Sequence, residues 1–214
     1  MPAHKISHPL FARFYARVSP AMDAGGMAAR RQQLLAGLTG TVIEVGAGNG
    51  LNFAHYPAGV TRVLAVEPDP FLRRIALHNA TSAPIPVEVT DSVAEELPTG
   101  DGTFDAAVST FVLCSVASQQ AVLREIHRVL GTDGQLRLLE HVRAGSPGWR
   151  RVQQLLDATI WPAVCGGDHT GRDTVAEVRS AGFTIEHLDR FRFPDMRLTL
   201  PTSPHLIAVA SRTT

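Results

Sequence analysis

The sequence predicts an α/β fold: a mostly parallel sheet with helices on both faces and an antiparallel pair at one edge. Three observations carry this. Strand-like and helix-like patterns alternate from residue 40 onward. The first apolar run, Val42–Val45, ends abruptly in glycines at alternate positions, Gly46, Gly48 and Gly50. Near the C-terminus, two strand-like segments are joined by a Pro-containing connection rather than by a helix.

The elements follow in order. Val42–Val45 is the first strand, and a helix-like stretch is expected from Leu51. Arg62–Glu67 is the second strand. Pro70–Asn79 reads as a helix with Asp69 as N-cap, because a carboxylate there satisfies free N–H groups of the first turn. Ile85–Thr90 is a third strand and Thr103–Thr110 a fourth. Ser118–Leu130 has Val122, Ile126 and Val129 at helical spacing, with Leu123 and Leu130 widening the stripe. Gly131–Gly134 reads as a turn before a fifth strand, Gln135–His141. Thr184–Phe193 and His205–Ser211 complete the sheet. Residues 39–214 thus form the main domain. Residues 1–38 lie outside the alternation, with helical patterns at His8–Tyr15 and Gly26–Leu38 separated by Ser19-Pro20. They form an arm over one sheet edge or a lid over a ligand.

Composition narrows the function. Lys+Arg and Asp+Glu both number 20, and no basic stripe points to nucleic acid. The pairs Arg30-Arg31 and Arg150-Arg151 read as solvated faces. The two cysteines, Cys114 and Cys165, are too few for a disulfide scaffold and fit a reducing compartment. No stretch approaches the ~20 apolar residues of a membrane span, and the N-terminus lacks a signal h-region. A cytoplasmic protein is expected.

The glycine turn carries the chemistry. A strand turning through glycines lets a ligand approach the backbone closely, and a following helix start would offer N–H groups. The dinucleotide fingerprint is G-x-G-x-x-G, but the third glycine here comes one residue early. Glu44 stands two positions before the first glycine. Both departures point away from NAD and toward another nucleoside-bearing ligand. Glu67 ends the second strand 17 residues after Gly50, at the rim where open α/β sheets bind ligands. It is either a ribose-binding carboxylate, which would repel a 2′-phosphate, or an ordinary strand-end acid. Asp91-Ser92, ending the third strand, reads as a ligand contact or a turn cap.

The pattern acidic-x-Gly-x-Gly-x-Gly resembles the first motif of class I S-adenosylmethionine (SAM) dependent methyltransferases. Further strings narrow the resemblance: Thr110–Val116 (TFVLCSV), Arg124–Leu130 (REIHRVL) and Leu139–Val142 (LEHV). With Trp149, Gln154, Leu156-Asp157, Trp161, Gly167 and Arg172-Asp173-Thr174, they are similar to the methyltransferase-like 7 subgroup and its bacterial relatives. The resemblance covers residues 41 to about 210. It implies a Rossmann-like sheet of seven strands with the last inserted antiparallel. Animal members of that subgroup are membrane-anchored thiol S-methyltransferases, and this sequence shows no such apolar anchor. It also departs at Asp168, where the subgroup usually has a cysteine.

The resemblance implies a site. SAM binds and leaves as S-adenosylhomocysteine. Glu44, Gly46, Ala47, Gly48 and Gly50 hold its methionine part, and Glu67 and Pro68 its ribose. Asp91, Ser92 and Val93 hold the adenine, and Thr110 lies beside the methyl group. Asp105 is a structural aspartate in that family. The partner is a small-molecule acceptor, with a thiol favoured and oxygen, nitrogen or carbon open. His141 is the candidate base, alternatively a strand-end histidine bonded to backbone. Tyr15, Cys114, Trp161 and His169 are candidate acceptor contacts. Trp149 and Trp161 line an apolar pocket or pack a helix. Cys165, Asp168 and His169 cluster locally but supply too few ligands for zinc, so no metal is expected. An NAD oxidoreductase and a non-catalytic SAM-binding protein are the alternatives.

Overall fold

The structure, a computed structural model, describes residues 9–159, 161, 167–195 and 200–213. The expected helix start at His8 and the thiol of Cys165 lie outside them. Seven strands form one sheet: β1 (Gly40–Val45), β2 (Val60–Val66), β3 (Val87–Thr90), β4 (Phe104–Thr110), β5 (Leu130–His141), β6 (Phe183–Arg192) and β7 (Pro204–Arg212). Their order is β3-β2-β1-β4-β5-β7-β6. Strands β1 to β5 run parallel, and β7 pairs antiparallel with both β5 and β6. The chain direction across the sheet reverses between β1 and β4. A crevice opens outside the carboxyl ends of strands at such a point.

Alternation along the strands divides the core into two layers. Val42, Val63, Ala65, Ala106 and Val108 face one side, where α2 (Ala28–Leu35) and α3 (Pro70–Ala80) pack with Leu34, Leu35 and Ala76. Ile43, Val45, Val66, Ala107 and Leu138 face the other, against α4 (Gln119–Val129). In α4 the predicted stripe Val122, Leu123, Ile126 and Val129 is fully buried, each side chain contributing roughly 1.5–3 kcal/mol. The predicted cap is in place: Asp69 accepts from the N–H groups of Phe71 and Leu72. Ser118, expected as the first helical residue, caps α4 by accepting from Ala121 N. Asp105 joins β4 to β1, accepting from Thr41 N at 2.7 Å and Thr41 Oγ1 at 2.9 Å.

Four sequence expectations are corrected. No helix follows the glycine turn. Residues 51–52 are a turn and Phe53–His55 a single 3₁₀ turn, since Pro57 and Gly59 leave no length for more. Ser19-Pro20 does not divide the arm. Helix α1 (Pro9–Met22) runs through Pro20, and the break comes at Gly26, whose φ of +118° interrupts the π-type turn Asp23–Met27. Residues 131–134 bulge within β5 instead of preceding it: Leu130 already pairs with Phe104, and Gln135 pairs with Ala106. Strand β3 starts at Val87, after Pro86, which has no N–H to give the ladder.

Two more helices complete the rim. Helix α5 (Pro147–Asp157) is fastened by polar contacts, and α6 (Thr174–Ser180) is capped by Asp173. Gln153 accepts from Ala144 N at 2.8 Å and donates to the Pro201 carbonyl at 2.8 Å. Asp157 accepts from the N–H groups of Thr170 and Gly171, holding the loop after residue 167 against α5.

Candidate active site

The glycine turn sits at the carboxyl end of β1, on the switch point. Gly46, Gly48 and Gly50 all take left-handed φ, of +67°, +58° and +77°, the region open to glycine at little cost. A Cβ on Gly46 would lie 2.4 Å from Val112 Cγ2, and one on Gly50 would lie 2.5 Å from the Phe53 ring. Gly48 N donates to Glu67 Oε2 at 2.7 Å, and Asp69 N donates to Glu67 Oε1 at 2.8 Å. The two sequence landmarks therefore meet. Burial pushes the Glu67 carboxyl up to about 7, against the lowering effect of those two N–H groups. Ala47 is buried, and Pro68 beside Glu67 is half-buried.

Glu44 points inward beneath the turn. Tyr56 OH donates to its Oε2 at 2.7 Å and Asn52 Nδ2 to its Oε1 at 2.9 Å. Burial raises its carboxyl to about 7. Asn52 also donates to Thr110 Oγ1 at 3.0 Å, linking β1 to β4. Arg31 closes the network, donating from Nη1 to Asn52 Oδ1 and from Nε to Asp23 Oδ1, both at 2.9 Å. Arg31 is only 4% exposed, which corrects its reading as a solvated residue. The kink at Gly26 turns α2 so that Arg31 faces back toward Asp23. Arg30, on the outer side, reaches Asp189 and lies over the Phe191 ring. Tyr15 lies across the turn, since a Cβ on Gly48 would come within 3.3 Å of its ring. Burial raises the Tyr15 hydroxyl.

On the far side of Glu67, Asp91 forms a two-pronged ion pair with Arg73, at 3.0 and 2.9 Å. Arg73 also donates to the carbonyls of Glu67 and Pro68. Ser92 Oγ donates to the Glu96 carbonyl, and Val93 is half-buried.

The candidate acceptor side lies after β4 and β5. Phe111 takes a left-handed φ of +58°, a conformation a non-glycine residue holds only when its surroundings impose it. Glu140, fully buried on β5, imposes it. Its Oε1 accepts from Ser109 Oγ, Val112 N and Leu113 N at 3.0–3.1 Å. Its Oε2 is buried with no hydrogen-bond partner among the described residues. This turn delivers Cys114, 3% exposed, beside His141 and Asp168. His141 Nε2 is 2.7 Å from Asp168 Oδ1, and Trp161 Nε1 donates to Asp168 Oδ2 at 3.1 Å. Burial pulls the His141 imidazole down, but the hydrogen bond and charge of Asp168 outweigh it, leaving its pKa raised. Burial, then Glu140 and Asp168, push the Cys114 thiol well up. His169 contributes its backbone N–H to the Cys114 carbonyl. Of the four predicted acceptor contacts, Cys114, Trp161 and His169 converge here, while Tyr15 lies over the glycine turn.

A cleft of about 420 Å³ opens beside this rim, lined by Val142, Trp149, Phe191, Leu200 and His205. The His205 ring stands edge-on to His141 at 6.1 Å. Burial lowers His205 to about 4, so it is an uncharged wall at neutral pH. A larger hollow of about 630 Å³ lies at the amino ends of β2 and β3, around Arg62 and Val87, away from this chemistry.

Comparison with known proteins shows the family. The methyltransferase domain family matches residues 43–138. Human thiol S-methyltransferase TMT1B is 31% identical over 182 residues, covering 81% of this chain and 73% of that protein. The chain is a SAM-dependent methyltransferase. A demethylmenaquinone methyltransferase of Listeria monocytogenes serotype 4a is 35% identical over 103 residues, 48% of this chain and 38% of its own. A solved SAM-dependent methyltransferase from Thermotoga maritima shares the fold, with TM-score 0.69 at 19% identity, over 95% of this chain and 99% of its own.

This methyltransferase is thus a class I enzyme using SAM on a small-molecule acceptor, with the seven-stranded Rossmann-like sheet anticipated from sequence. The NAD-dependent and non-catalytic alternatives are not favoured. Its residues fit the cofactor. Three left-handed glycines leave the turn free of side chains, and the Glu67 carboxylate is fixed beside it by two backbone N–H groups. The hydrogen-bonding roles of Arg31, Asn52, Tyr56 and Glu140 and the Asp168–His141 contact were not visible in the sequence. Glu140 stood within the Leu139–Val142 string, and Asp168 at the departure from the subgroup's cysteine. Among the described residues, no helix is long and apolar enough to cross a membrane.

Proposed function

We propose that this methyltransferase methylates a small thiol, with His141 as the acceptor-side residue on which transfer depends. The similarity to a thiol S-methyltransferase carries the reading. It leaves less than a fifth of this chain unmatched, so it extends well past the cofactor half. The convergence of Cys114, His141 and Asp168 at the end of that half supports it. SAM, when bound, supplies a methyl group already activated by its sulfonium. The protein's share is to position the acceptor and exclude water.

We assign the residues accordingly. Gly46, Ala47, Gly48 and Gly50 cradle the methionine part, and Glu44 orders the turn from beneath. Glu67, with Pro68 shaping the strand end, accepts from the ribose hydroxyls. Asp91, Ser92 and Val93 face the adenine, where Arg73 competes for the Asp91 carboxylate. Thr110 borders the methyl group. The arm of residues 1–38, through Tyr15, acts as a lid over the main domain, 39–214. The cleft beside Trp149 and His205 admits the acceptor, and the enzyme works in the cytoplasm.

Labelled-SAM transfer to thiols, phenols, amines and phospholipids tests the reading. Methylated thiol is the expected product. Label confined to another class would overturn the thiol assignment. His141→Ala is expected to lose turnover while calorimetry shows SAM affinity unchanged.

A further inference from the structure

The acceptor-side cluster holds more than a base would use. His141 Nε2 is taken by Asp168, and Nδ1 is buried with no hydrogen-bond partner among the described residues. Nε2 is therefore engaged, and Nδ1, unpartnered among the described residues, is shut away from solvent. The Cys114 thiol hydrogen-bonds the carboxyls of Asp168 and Glu140, and its sulfur stands within 4.8 Å of the donor atoms of both His141 and Asp168. The groups come from three separate elements: the turn after β4, the end of β5, and the loop tied to α5 by Asp157. Thiolate, imidazole and carboxylate are the three ligand types of zinc, and three protein ligands with an open fourth position is its catalytic arrangement.

We propose that Cys114, His141 and Asp168 bind a zinc ion that activates the acceptor thiol. This deepens the thiol methyltransferase reading and rests on it for the reaction, though not for the metal. Zinc bonds of about 2.0–2.3 Å in a tetrahedron place neighbouring ligand atoms roughly 3.3–3.7 Å apart. The His141–Asp168 pair at 2.7 Å would open slightly, and the cysteine sulfur would close in. A cysteine ligand argues against magnesium or calcium, which prefer all-oxygen sites. The surroundings are those of a held ligand set. Trp161 fixes the second oxygen of Asp168, and the His169 N–H fixes the Cys114 carbonyl.

The step balances without an oxidant or reductant. The acceptor thiol takes the fourth position and loses its proton to water. Its sulfur lone pair then forms the S–CH₃ bond. The sulfonium C–S bond breaks, and its electron pair stays on S-adenosylhomocysteine. The thioether product is a poorer ligand than a thiolate, which favours its release.

The test measures metal without turnover. Chelator-treated, dialysed protein is titrated with zinc, and with cobalt as an absorbing substitute. Expected are one equivalent bound and a sulfur-to-cobalt charge-transfer band. Cys114→Ser should remove that band. Cys114→Ser and Asp168→Asn should each weaken zinc at least as much as the roughly 100-fold upper cost of losing an outer-shell partner. Circular dichroism checks that both variants fold, and Asp168→Asn keeps the cysteine itself in place. No stoichiometric binding, or unchanged affinity in both folded variants, would overturn the site. Thiol methylation at equal rates in metal-free and reloaded protein would overturn activation while leaving the thiol reading intact. Tight zinc with no methylated thiol would sink the thiol reading and keep the metal site.

Discussion

Removing the Glu67 carboxylate should weaken SAM binding in a way that depends on pH. The side chain is 6% exposed, and its two oxygens are held toward the glycine turn by Gly48 N and Asp69 N. A carboxylate accepting from two ribose hydroxyls makes charge-assisted bonds worth about 1.5–3 kcal/mol each. Part of that is spent in displacing water from an already buried group. A net loss of about 2–3 kcal/mol in Glu67→Ala corresponds to a roughly 30- to 150-fold rise in Kd. Burial raises the carboxyl to about 7, with Asp69 adding to the rise and Arg73 opposing it. The form that accepts from both hydroxyls is therefore lost as pH falls through 7. Wild-type affinity should be about tenfold weaker at pH 6 than at pH 8, since each pH unit below a pKa costs about tenfold in the charged form. Glu67→Ala should lose this component of the pH response. Calorimetry at pH 6, 7 and 8 measures both effects. Equal affinities for the two proteins, or the same pH response in both, would refute the reasoning.

The same carboxyl bears on stability. Its folded pKa lies above the usual value, so the folded state holds more protons between about 4.5 and 7. Glu67 therefore costs stability as pH rises through that window, and the denaturant midpoint of Glu67→Ala should fall less than wild type's between pH 5 and 8. Gly46→Ala forces a Cβ against Val112 at a φ of +67° and should cost about 1–3 kcal/mol, lowering Tm by roughly 2–12 °C. Adding Val112→Ala should relieve the clash, and a double-mutant cycle by thermal melt would show it as positive coupling. Arg31→Met should cost about 3–5 kcal/mol, as for one partner of a buried ion pair. Its loss leaves Asp23 and Asn52 Oδ1 without their donor, and urea unfolding reads the change.

The glycine-turn half of the candidate site was largely legible because its signals are local. A strand, three glycines and a strand-end glutamate occupy fixed positions along the chain, and the sheet brings Glu67 to Gly48 by pairing β1 with β2. The helix expected after Leu51 does not form, because Pro57 and Gly59 leave room for only the single turn Phe53–His55 before β2. The buried Arg31 was hidden for a different reason. An Arg-Arg pair looks solvated in any helix, and only the kink at Gly26 aims the second arginine at Asp23 and Asn52.

By itself, the sequence determined the alternation of strands and helices, the bare glycine cradle, and the acid at the end of β2. These depend on backbone freedom and on periodicity, which are properties of neighbours in the chain. The tertiary structure alone decided the cluster proposed to face the acceptor. Cys114, His141 and Asp168 lie 27 residues apart in each successive step, so no spacing rule joins them. They meet because β4 and β5 end at the same rim, Glu140 bends the backbone after β4, and Asp157 ties down the loop that carries Asp168.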